Sequence, residues 1–363
     1  MRKLASIKTI SSISPIEGKD RIVLAAVDGW QVIVQKSDFN PGDKCVYVEI
    51  DSVMPERPEF EFLRKRDFRI RTMKMAGVIS QGICFPISIL PPKKNGEYEL
   101  EEDVTEILGV TQYEPTMDTD PEPQPETNSK ARKYPAFLMR FKWFRRLVLP
   151  KSRSKGFPDF ISKTDEIRIQ NIPQIVLDKR PWIATEKVDG QSGTFALVRI
   201  KSKLPFVKDK FEYIVCSRNL RLGKKDNSSY WRVSDKYQIE NALRNMIGDR
   251  PWIAIQGECI APKVQGTKYK VAEPDLFVFN LIYPTGRLDS IRAKSIIEQH
   301  GMNFVPIIAT DYVLPDTVEE VLQYATGKSA LADTLREGIV FRSQDGSRSF
   351  KAVSNEFLLA YNE

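Results

Sequence analysis

The sequence contains a single histidine, His300, among 363 residues. A Ser-His-Asp triad, a Cys-His pair or a histidine-ligated metal would have to be built around that one residue. No motif accompanies His300, which lies in IIEQHGMNF at a predicted helix end, and we expect it to be structural. Chemistry in this chain must therefore rest on lysine, arginine, aspartate and glutamate.

Cysteine is also scarce. The four cysteines are far apart and form no C-x-x-C pair: Cys45, Cys84, Cys216 and Cys259. This spacing signals neither a zinc ribbon nor a disulfide framework, so we expect free thiols that are buried or partly buried.

Long apolar runs are absent as well. No stretch approaches the roughly 18 residues that a membrane helix needs, and MRKLASIKTI lacks the apolar core of a secretory signal. We expect an intracellular, soluble protein of the cytoplasm or nucleus with no membrane partner.

The charge balance is moderately basic. Lysine and arginine number 55 against 48 aspartates and glutamates, which gives a formal charge of +7. Such a surface attracts polyanions, so nucleic acid or nucleotide is the expected partner class. The length allows two domains, each with its own core.

The first part of the chain, residues 1–110, is rich in predicted strands. RIVLAAVDGWQVIVQ has two apolar runs on either side of Asp28-Gly29, which predicts a hairpin. In the next strand Val46, Val48 and Ile50 share one face. Short strands with tight turns at this density predict a small OB-like β-barrel.

A basic segment, LRKRDFRIRTMKM, lies inside this region. It contains six cations interleaved with Phe68 and Met73: Arg64, Lys65, Arg66, Arg69, Arg71 and Lys74. The segment could bind phosphates, or it could be a solvated loop or strand face, and the sequence leaves both open.

Residues 111–156 are predicted to connect two domains. QYEPTMDTDPEPQPETN is rich in proline and acid and is predicted to be a linker. The segment from Lys130 to Lys155 then carries ten lysines or arginines and no acid, interleaved with aromatic residues. We expect its aromatics to dock on a neighbouring domain and some of its charges to contact phosphates.

The remainder, residues 157–363, alternates predicted strands and helices. RPWIATEK, RPWIAIQGECI, DLFVFNLIYP and EGIVFRS are predicted strands, and SDKYQIENALRNMIG is a predicted amphipathic helix. PDTVEEVLQYAT is predicted to be a short helix capped by Asp316 or Thr317.

The turn after WIATEK has the residues of a nucleophilic site. A lysine nucleophile must be neutral when it attacks, so Lys187 needs a site that lowers its pKa, through apolar walls, a neighbouring cation or a metal. Asp189 can hold the ammonium or a metal-bound water, and Gly190 lets the backbone approach a phosphate. Alone, K-x-D-G is weak evidence.

The interpretation of Lys187 as a nucleophile is strengthened by six motifs that occur in one order. Lys187-Val188-Asp189-Gly190 is followed by SRN with Arg218, IQGEC with Glu258, LFVFN with Phe279, EGIVFR with Glu337 and SFK with Lys351. This series resembles the covalent nucleotidyltransferases. The resemblance implies an α+β fold, in which a nucleotidyltransferase domain of antiparallel sheets with flanking helices follows the OB-like barrel.

The resemblance also implies roles for these residues. Lys187 would attack the α-phosphate of a nucleoside triphosphate, Phe279 would stack on the purine, and Lys351 would face the α-phosphate. The nucleotide-binding set would comprise Glu186, Asp189, Gly190, Arg218, Glu258, Phe279, Glu337 and Lys351. Asp189, Glu258 and Glu337 would hold a divalent metal, Mg or Mn, because a hard cation prefers oxygen ligands.

Within that superfamily the chain most resembles the RNA ligases of the Deinococcus and Naegleria type. Only residues 352–363 follow Lys351, KTDEIRIQN precedes the nucleophile, and the candidate OB domain comes first. Lys163 and Arg168 would assist at the nucleotide or RNA. The usual final K-x-K is incomplete, with Ser349 and Val353 flanking Lys351, and Arg348 is the candidate substitute.

The implied activity is ATP-dependent joining of a 5′-phosphate to a 3′-OH RNA end in nicked duplexes, by a monomer. The alternatives are an mRNA capping guanylyltransferase, which would take GTP, and a non-catalytic nucleic-acid-binding protein with a decayed pocket. Retention of Lys187, Glu258 and Glu337 argues against decay, since a dead pocket has no use for buried charge.

Overall fold

The computed structural model describes residues 3–93, 96–113, 156–202, 206, 208–223, 227–262 and 268–361. Most of the predicted linker and the whole basic and aromatic segment from Lys130 to Lys155 lie outside the described residues.

The N-terminal part is built from short antiparallel strands. They are β1 (Ala5–Thr9), β2 (Ser12–Ile16), β3 (Lys19–Val27), β4 (Trp30–Gln35), β5 (Lys44–Val48), β6 (Ser52–Val53), β7 (Arg69–Ile70), β8 (Met73–Met75), β9 (Val78–Ser80), β10 (Ile83–Pro86) and β11 (Thr111–Gln112). The sheets have the orders β1-β5-β10, β2-β3-β4, β11-β6-β7 and β8-β9. Helix α1 (Thr105–Leu108) and 3₁₀ turns at Pro58–Arg66 and Ile87–Ile89 complete this part.

The predicted hairpin is confirmed. Val27 pairs with Trp30, so Asp28 and Gly29 are the two turn residues. Asp28 adopts a left-handed conformation with φ of 50°, as two-residue hairpin turns require. The interior of the N-terminal part is mostly apolar around Trp30 and Tyr47, which are each 1% exposed. Val353 and Leu358, from the end of the chain, also belong to this core.

The C-terminal part contains two larger sheets. Their strands are β12 (Trp182–Lys187), β13 (Gln191–Ile200), β14 (Lys210–Cys216), β15 (Trp252–Ile260), β16 (Asp275–Tyr283), β17 (Gly286–Arg287), β18 (Asn303–Phe304), β19 (Ile307–Tyr312), β20 (Gly338–Ser343) and β21 (Ser349–Val353). One sheet has the order β19-β12-β20-β21 and the other β14-β13-β15-β16-β17, with β18 beside β16. Only the β16–β18 pair among these is parallel.

Helices cover these sheets. They are α2 (Ser229–Lys236), α3 (Ile239–Met246), α4 (Ser290–Gln299), α5 (Val318–Ala325) and α6 (Asn355–Tyr361). Additional 3₁₀ turns span Ile169–Asn171 and Pro173–Leu177. Thr317 caps α5 in a reciprocal capping box with Glu320, which resolves the choice left open by the sequence. His300 ends α4, with its Nδ1 2.9 Å from the Ile296 carbonyl oxygen.

One predicted helix is corrected by the structure. SDKYQIENALRNMIG forms parts of two helices, because the chain leaves helical geometry at Tyr237 and Gln238. Gln238 has a φ of 48°, in the left-handed region. The break turns α3 so that Ala242 and Leu243 are buried. Apolar periodicity alone did not reveal it, since the pattern of inward residues continues across the break.

A polar joint ties the barrel to the C-terminal part. Arg168 Nη2 donates to Asp51 Oδ2 at 2.9 Å, and Trp30 Nε1 donates to Asn171 Oδ1 at 2.6 Å. Asn171 Nδ2 in turn donates to Glu49 Oε1 at 2.8 Å. The hairpin turn takes part as well, since the Gly29 N–H donates to the Gln170 carbonyl at 2.9 Å. The relative placement of the two parts is therefore defined by directional bonds.

Candidate active site

The candidate nucleophile lies where β12 meets β20. Lys187 is the last residue of β12 and pairs with Gly338, the first residue of β20. Glu337 directly precedes Gly338 and therefore lies beside the lysine. Lys187 Nζ donates a hydrogen bond to Glu337 Oε2 at 2.5 Å. The two side chains are 24% and 13% exposed, which leaves the lysine partly accessible to solvent. Residues 150 positions apart in sequence thus form one pair.

The electrostatics of Lys187 differ from what its apolar approach suggests. Burial opposes the charge on Lys187, but Glu337, Glu258 and Asp189 together raise its pKa above the usual value. The structure therefore holds Lys187 as an ammonium ion. The sequence shows only the apolar strand that leads to the lysine. In the folded chain the charges that act most on the lysine are the carboxylates of Glu337, Glu258 and Asp189.

Two partly buried carboxylates face this lysine. Burial raises the pKa of Glu258 to about 8, and burial also raises the pKa of Glu337 despite its bond to Lys187. Within the described residues, no hydrogen-bonding partner is found for the Glu258 carboxylate. A carboxylate that is largely removed from water and lacks a hydrogen-bonding partner is costly, so this place favours additional positive charge.

The donor set fits a divalent cation of the hard type. Glu258 and Glu337 offer oxygen ligands, although no three acidic, histidine or cysteine residues of the described part form a ready metal cluster. Mg²⁺ is commonly bound by one or two carboxylates together with water and substrate phosphates. A sparse set of carboxylates matches that pattern.

Asp189 has a partner that sequence reasoning missed. Lys268 Nζ donates to Asp189 Oδ2 at 2.7 Å, and the Asp189 N–H donates to Tyr269 Oη at 3.1 Å. Lys268 also lies 5.0 Å from the centre of the Phe357 ring and 4.9 Å from that of Tyr361. Nothing in TKYK distinguishes Lys268 from Lys270, so no sequence signal could have selected it.

Gly190 is required by packing. A Cβ at this position would lie 2.7 Å from the Cys259 carbonyl oxygen and 3.1 Å from Cγ of Glu258. The turn after Lys187 therefore passes directly against β15. Its closeness is what brings Glu258 to the lysine.

The Glu186 carboxylate is bound by a loop and not by Lys187. Ser329 Oγ donates to its Oε1 at 2.5 Å, and the Ala330 N–H donates to its Oε2 at 2.8 Å. Both carboxylate oxygens are thereby engaged with the loop after α5. In the structure Glu186 anchors that loop beside the strand that carries Lys187.

Phe279 lies at an irregular position in β16. The β15–β16 register shifts between Gln256 and Gly257, which gives β16 one extra residue at Phe279. Such bulges re-aim a side chain. The guanidinium of Arg342 lies 5.8 Å from the Phe279 ring centre.

Arg342 is a second residue that the sequence analysis did not select, although it ends the EGIVFR motif. It is 2% exposed, and its Nη1 donates to Thr185 Oγ1 at 2.8 Å. Burial lowers the pKa of the guanidinium to about 10. A charged and planar group is thus held beside the candidate purine-stacking ring.

The KTDEIR segment packs beside the Arg218 loop. Arg218 Nη2 donates to Asp165 Oδ1 at 2.5 Å, and Lys163 Nζ donates to Asn219 Oδ1 at 3.0 Å. Arg218 is also close enough to Glu258 to oppose the rise of its pKa. The structure therefore brings Arg218 and Lys163 to one side of the lysine site.

The remaining candidates separate into near and distant groups. Lys351 opposes the rise in the pKa of Glu337, which places it at the site. Arg348 instead donates from Nη1 to Asp178 Oδ2 at 2.9 Å and is 51% exposed. Arg168 bonds to Asp51 of the barrel. Val353, where a second motif lysine would stand, is 1% exposed in the barrel core.

Comparisons with known proteins identify a family and similar solved structures. An RNA ligase family model matches residues 180–353, and an OB-fold domain model matches residues 4–87. The structure of Naegleria gruberi RNA ligase with PPi is similar at a TM-score of 0.80 and 30% identity, with 99% of this chain and 98% of that chain covered. The chain belongs to the RNA ligase family.

Two further solved structures of this relative are similar. A lysine-to-alanine mutant of the Naegleria gruberi RNA ligase with ATP and Mn matches at a TM-score of 0.80 and 30% identity, with 99% of this chain and 98% of that chain covered. A glutamate-to-alanine mutant with AMP and Mn matches at 0.79 and 30% identity, with 98% of each chain covered. The predicted α+β fold with an N-terminal OB-type barrel is confirmed. A search of curated protein sequences gave no match.

Among the described residues, no helix has the length and apolar character needed to cross a membrane.

Proposed function

We propose that this chain is an ATP-dependent RNA ligase that works through a covalent lysyl-AMP on Lys187. The observation that carries the proposal is the Lys187–Glu337 pair, with Nζ 2.5 Å from Oε2, in a chain similar over its whole length to an RNA ligase. A lone lysine beside a buried carboxylate occurs in many proteins. The family likeness supports the assignment of this lysine as the nucleophile.

In the first step, the Lys187 amine attacks the α-phosphorus of ATP. A P–N bond forms, the bond to the bridging oxygen breaks, and pyrophosphate leaves. Lys187 must first lose a proton, and Glu337 is positioned to accept it because its oxygen already receives the Nζ hydrogen bond. Burial, which raises the pKa of Glu337, makes this carboxylate a better base.

Positive charge around the α-phosphate stabilises the transition state. Lys351 supplies part of it, and Arg218 is close to Glu258 on the same side of the site. Glu258 and Glu337, with Asp189, would hold a divalent metal, Mg or Mn. Such an ion supplies charge that stabilises the phosphate oxygens. Arg348 is tied to Asp178, so Arg342 and Lys351 are better placed to contribute charge at the nucleotide.

Two group transfers complete the reaction. A 5′-phosphate oxygen of the RNA attacks the phosphorus of the lysyl-AMP, which breaks the P–N bond and returns the amine to Lys187. The 3′-hydroxyl then attacks the activated 5′-phosphorus, a phosphodiester forms, and AMP leaves with the bridging oxygen. The hydroxyl proton passes to a base or to solvent.

The other parts of the proposal concern substrate and organisation. The substrate is a nicked duplex whose 3′-OH strand is RNA, and the protein acts as a monomer. Residues 1–110 form the barrel domain, 111–156 the connection and 157–363 the nucleotidyltransferase domain. Lys163 contacts nucleotide or RNA, whereas Arg168 supports the site from the joint with Asp51.

The test is incubation with α-labelled ATP or GTP and a divalent metal, followed by a denaturing gel. We expect label from ATP in the unaltered protein and in Lys294→Ala, whose lysine lies on α4 and pairs with Glu298. Lys187→Ala should carry none.

Other outcomes would contradict the proposal. Label from GTP would indicate a capping guanylyltransferase, which the likeness to RNA ligases does not favour. Absence of label from either nucleotide would favour a binding protein without catalysis.

A further inference from the structure

A basic cavity lies on the barrel, apart from the lysine site. It has a volume of about 400 Å³ and is lined by Lys65, Arg66, Asp67, Arg71, Thr72 and Met73. Lys65 and Arg66 end the 3₁₀ turn Pro58–Arg66, and Met73 begins β8. The sequence left open whether this segment binds phosphates or is a solvated surface.

The backbone around the cavity is fixed in an unusual form. Asp67 and Phe68 are consecutive non-glycine residues with φ of 51° and 56°. Such strain persists only where the surroundings hold it. The Phe68 ring is 5% exposed, its N–H donates to Leu63 O at 3.2 Å and its carbonyl accepts from the Met54 N–H at 2.9 Å. The left-handed residues Asp67 and Phe68 reverse the direction of the chain, so that Lys65 and Arg66 line the same cavity as Arg71.

The far side of the cavity is also anchored. Thr72 is 4% exposed, and its hydroxyl accepts a hydrogen bond from Gln81 Nε2 at 3.1 Å. The cavity is therefore a defined feature of the barrel and its shape does not depend on long surface side chains alone.

The cations of the cavity differ from their neighbours in pairing. Arg64 pairs with Glu56 and Glu61, and Arg69 lies 3.6 Å from Asp51. By contrast, Lys65, Arg66 and Arg71 make no ion pair within the described part of the chain. Buried Nε of Arg71 has no hydrogen-bond acceptor there either.

The excess charge favours an anion. Three cations and a single carboxylate, that of Asp67, line one cavity, so the cations repel each other unless an anion enters. Arginine and lysine next to one another suit phosphate oxygens, since the guanidinium offers several N–H donors and the ammonium a compact charge.

The cavity adjoins the joint with the catalytic part. Arg71 comes one residue after β7, which pairs with Ser52 next to Asp51. Asp51 in turn accepts from Arg168 at 2.9 Å, and Lys351 N–H donates to the neighbouring Ile167 carbonyl at 2.8 Å. A short series of contacts thus connects the cavity to the strand that carries Lys351.

We propose that Lys65, Arg66 and Arg71 bind backbone phosphates of the nucleic acid that this ligase joins. The inference rests on the proposed function. It assigns the basic segment to substrate binding and leaves ATP binding to the lysine site.

The test measures binding of a nicked duplex with an RNA 3′-OH strand, in the Lys187→Ala background so that no turnover occurs. Fluorescence anisotropy is recorded over a series of salt concentrations for Lys65→Ala/Arg66→Ala/Arg71→Ala. The slope of log K against log salt is negative, and each lost phosphate contact reduces its magnitude by about 0.9. We therefore expect weaker binding and a slope reduced in magnitude by about two to three units.

A matched control removes equal charge from the same barrel. Lys19, Arg21 and Lys36 are exposed and do not line the cavity. Lys19→Ala/Arg21→Ala/Lys36→Ala should retain the steeper slope. Equal slopes for the two triple variants would overturn the inference.

Folding and ligand source are tested separately. Arg71 is partly buried, so thermal unfolding is measured, and the pair Lys65→Ala/Arg66→Ala replaces the triple variant if the latter is unfolded. The pair should reduce the magnitude of the slope by about two units. If the cavity variants changed ATP affinity by calorimetry and left duplex binding intact, the cavity would bind free phosphates and the inference would fail.

Labelling of the otherwise unaltered chain by ATP tests the proposed function on its own. Cavity-dependent binding without any ATP label would contradict the ligase proposal alone. ATP label together with duplex binding that the cavity variants leave unchanged would contradict only the inference about the cavity.

Discussion

Lys268 Nζ lies 2.7 Å from Asp189 Oδ2, and the two side chains are only 8% and 12% exposed. The rings of Phe357 and Tyr361 on α6 flank the same ammonium group. This pair connects the turn after Lys187 to the last helix of the chain. Asp189 therefore has a positional role that its place in K-x-D-G does not reveal.

Replacing Lys268 by methionine should weaken both stability and lysine labelling. Breaking a buried ion pair typically costs about 3–5 kcal/mol, because the remaining charge stays in a poorly solvated place. We expect Lys268→Met to lower the free energy of unfolding in urea by this order and to slow ATP labelling. Lys268→Arg, which keeps the charge, should recover part of both.

The matched control is Lys294→Met, since Lys294 makes a more exposed pair with Glu298. An exposed pair contributes about 0–1 kcal/mol. Labelling of Lys268→Met at the rate of this control would show that the Asp189 contact does not support the reaction.

Glu337→Gln tests the proton acceptor beside Lys187. The substitution keeps the shape but removes the base, and general base catalysis contributes about 10²–10⁴-fold. We expect the single-turnover rate of ATP labelling to fall by that order while the midpoint of thermal unfolding stays close to that of the unaltered protein. Glu298→Gln on α4 is the exposed control. A labelling rate reduced less than tenfold would remove Glu337 from this role.

Gly190→Ala tests the close approach of the turn to β15. The new Cβ would meet the Cys259 carbonyl at 2.7 Å, so the turn must move away from Glu258. Overpacking of this kind costs about 1–3 kcal/mol. We expect lower stability and slower labelling, measured by urea unfolding and by the gel assay.

Gly156→Ala provides the comparison, because a Cβ there would have no atom of the described residues within 4 Å. It should leave both properties unchanged. Equal stability and equal labelling rates of the two alanine variants would show that the turn after Lys187 can accommodate a Cβ at Gly190.

Arg342→Lys tests whether the buried guanidinium of Arg342 or the exposed one of Arg348 contributes to ATP binding. Lysine cannot reproduce the planar group beside Phe279 or its bond to Thr185. We expect the KM for ATP in the labelling reaction to rise about tenfold, which corresponds to about 1.4 kcal/mol. Arg348→Lys, at a site 51% exposed and paired with Asp178, should not change it. The opposite ranking would restore Arg348 as the nucleotide cation.

The sequence by itself determined the local features of this protein. Apolar runs on either side of Asp28-Gly29 specify a hairpin because turn geometry and strand propensity act over a few residues. The ordered motifs from Lys187 to Lys351 identify the family and the residues beside the lysine for the same reason, because each motif spans only a few residues.

Tertiary structure alone decided which charges meet. The Lys268–Asp189 bond joins residues 79 apart and the Arg168–Asp51 bond joins residues 117 apart. Among 55 lysines and arginines, only packing of strands and helices selects these partners. The same packing ties Arg348 to Asp178 and places Val353 in the barrel core, because a side chain's neighbours depend on which distant strands lie beside it and not on its place in a motif.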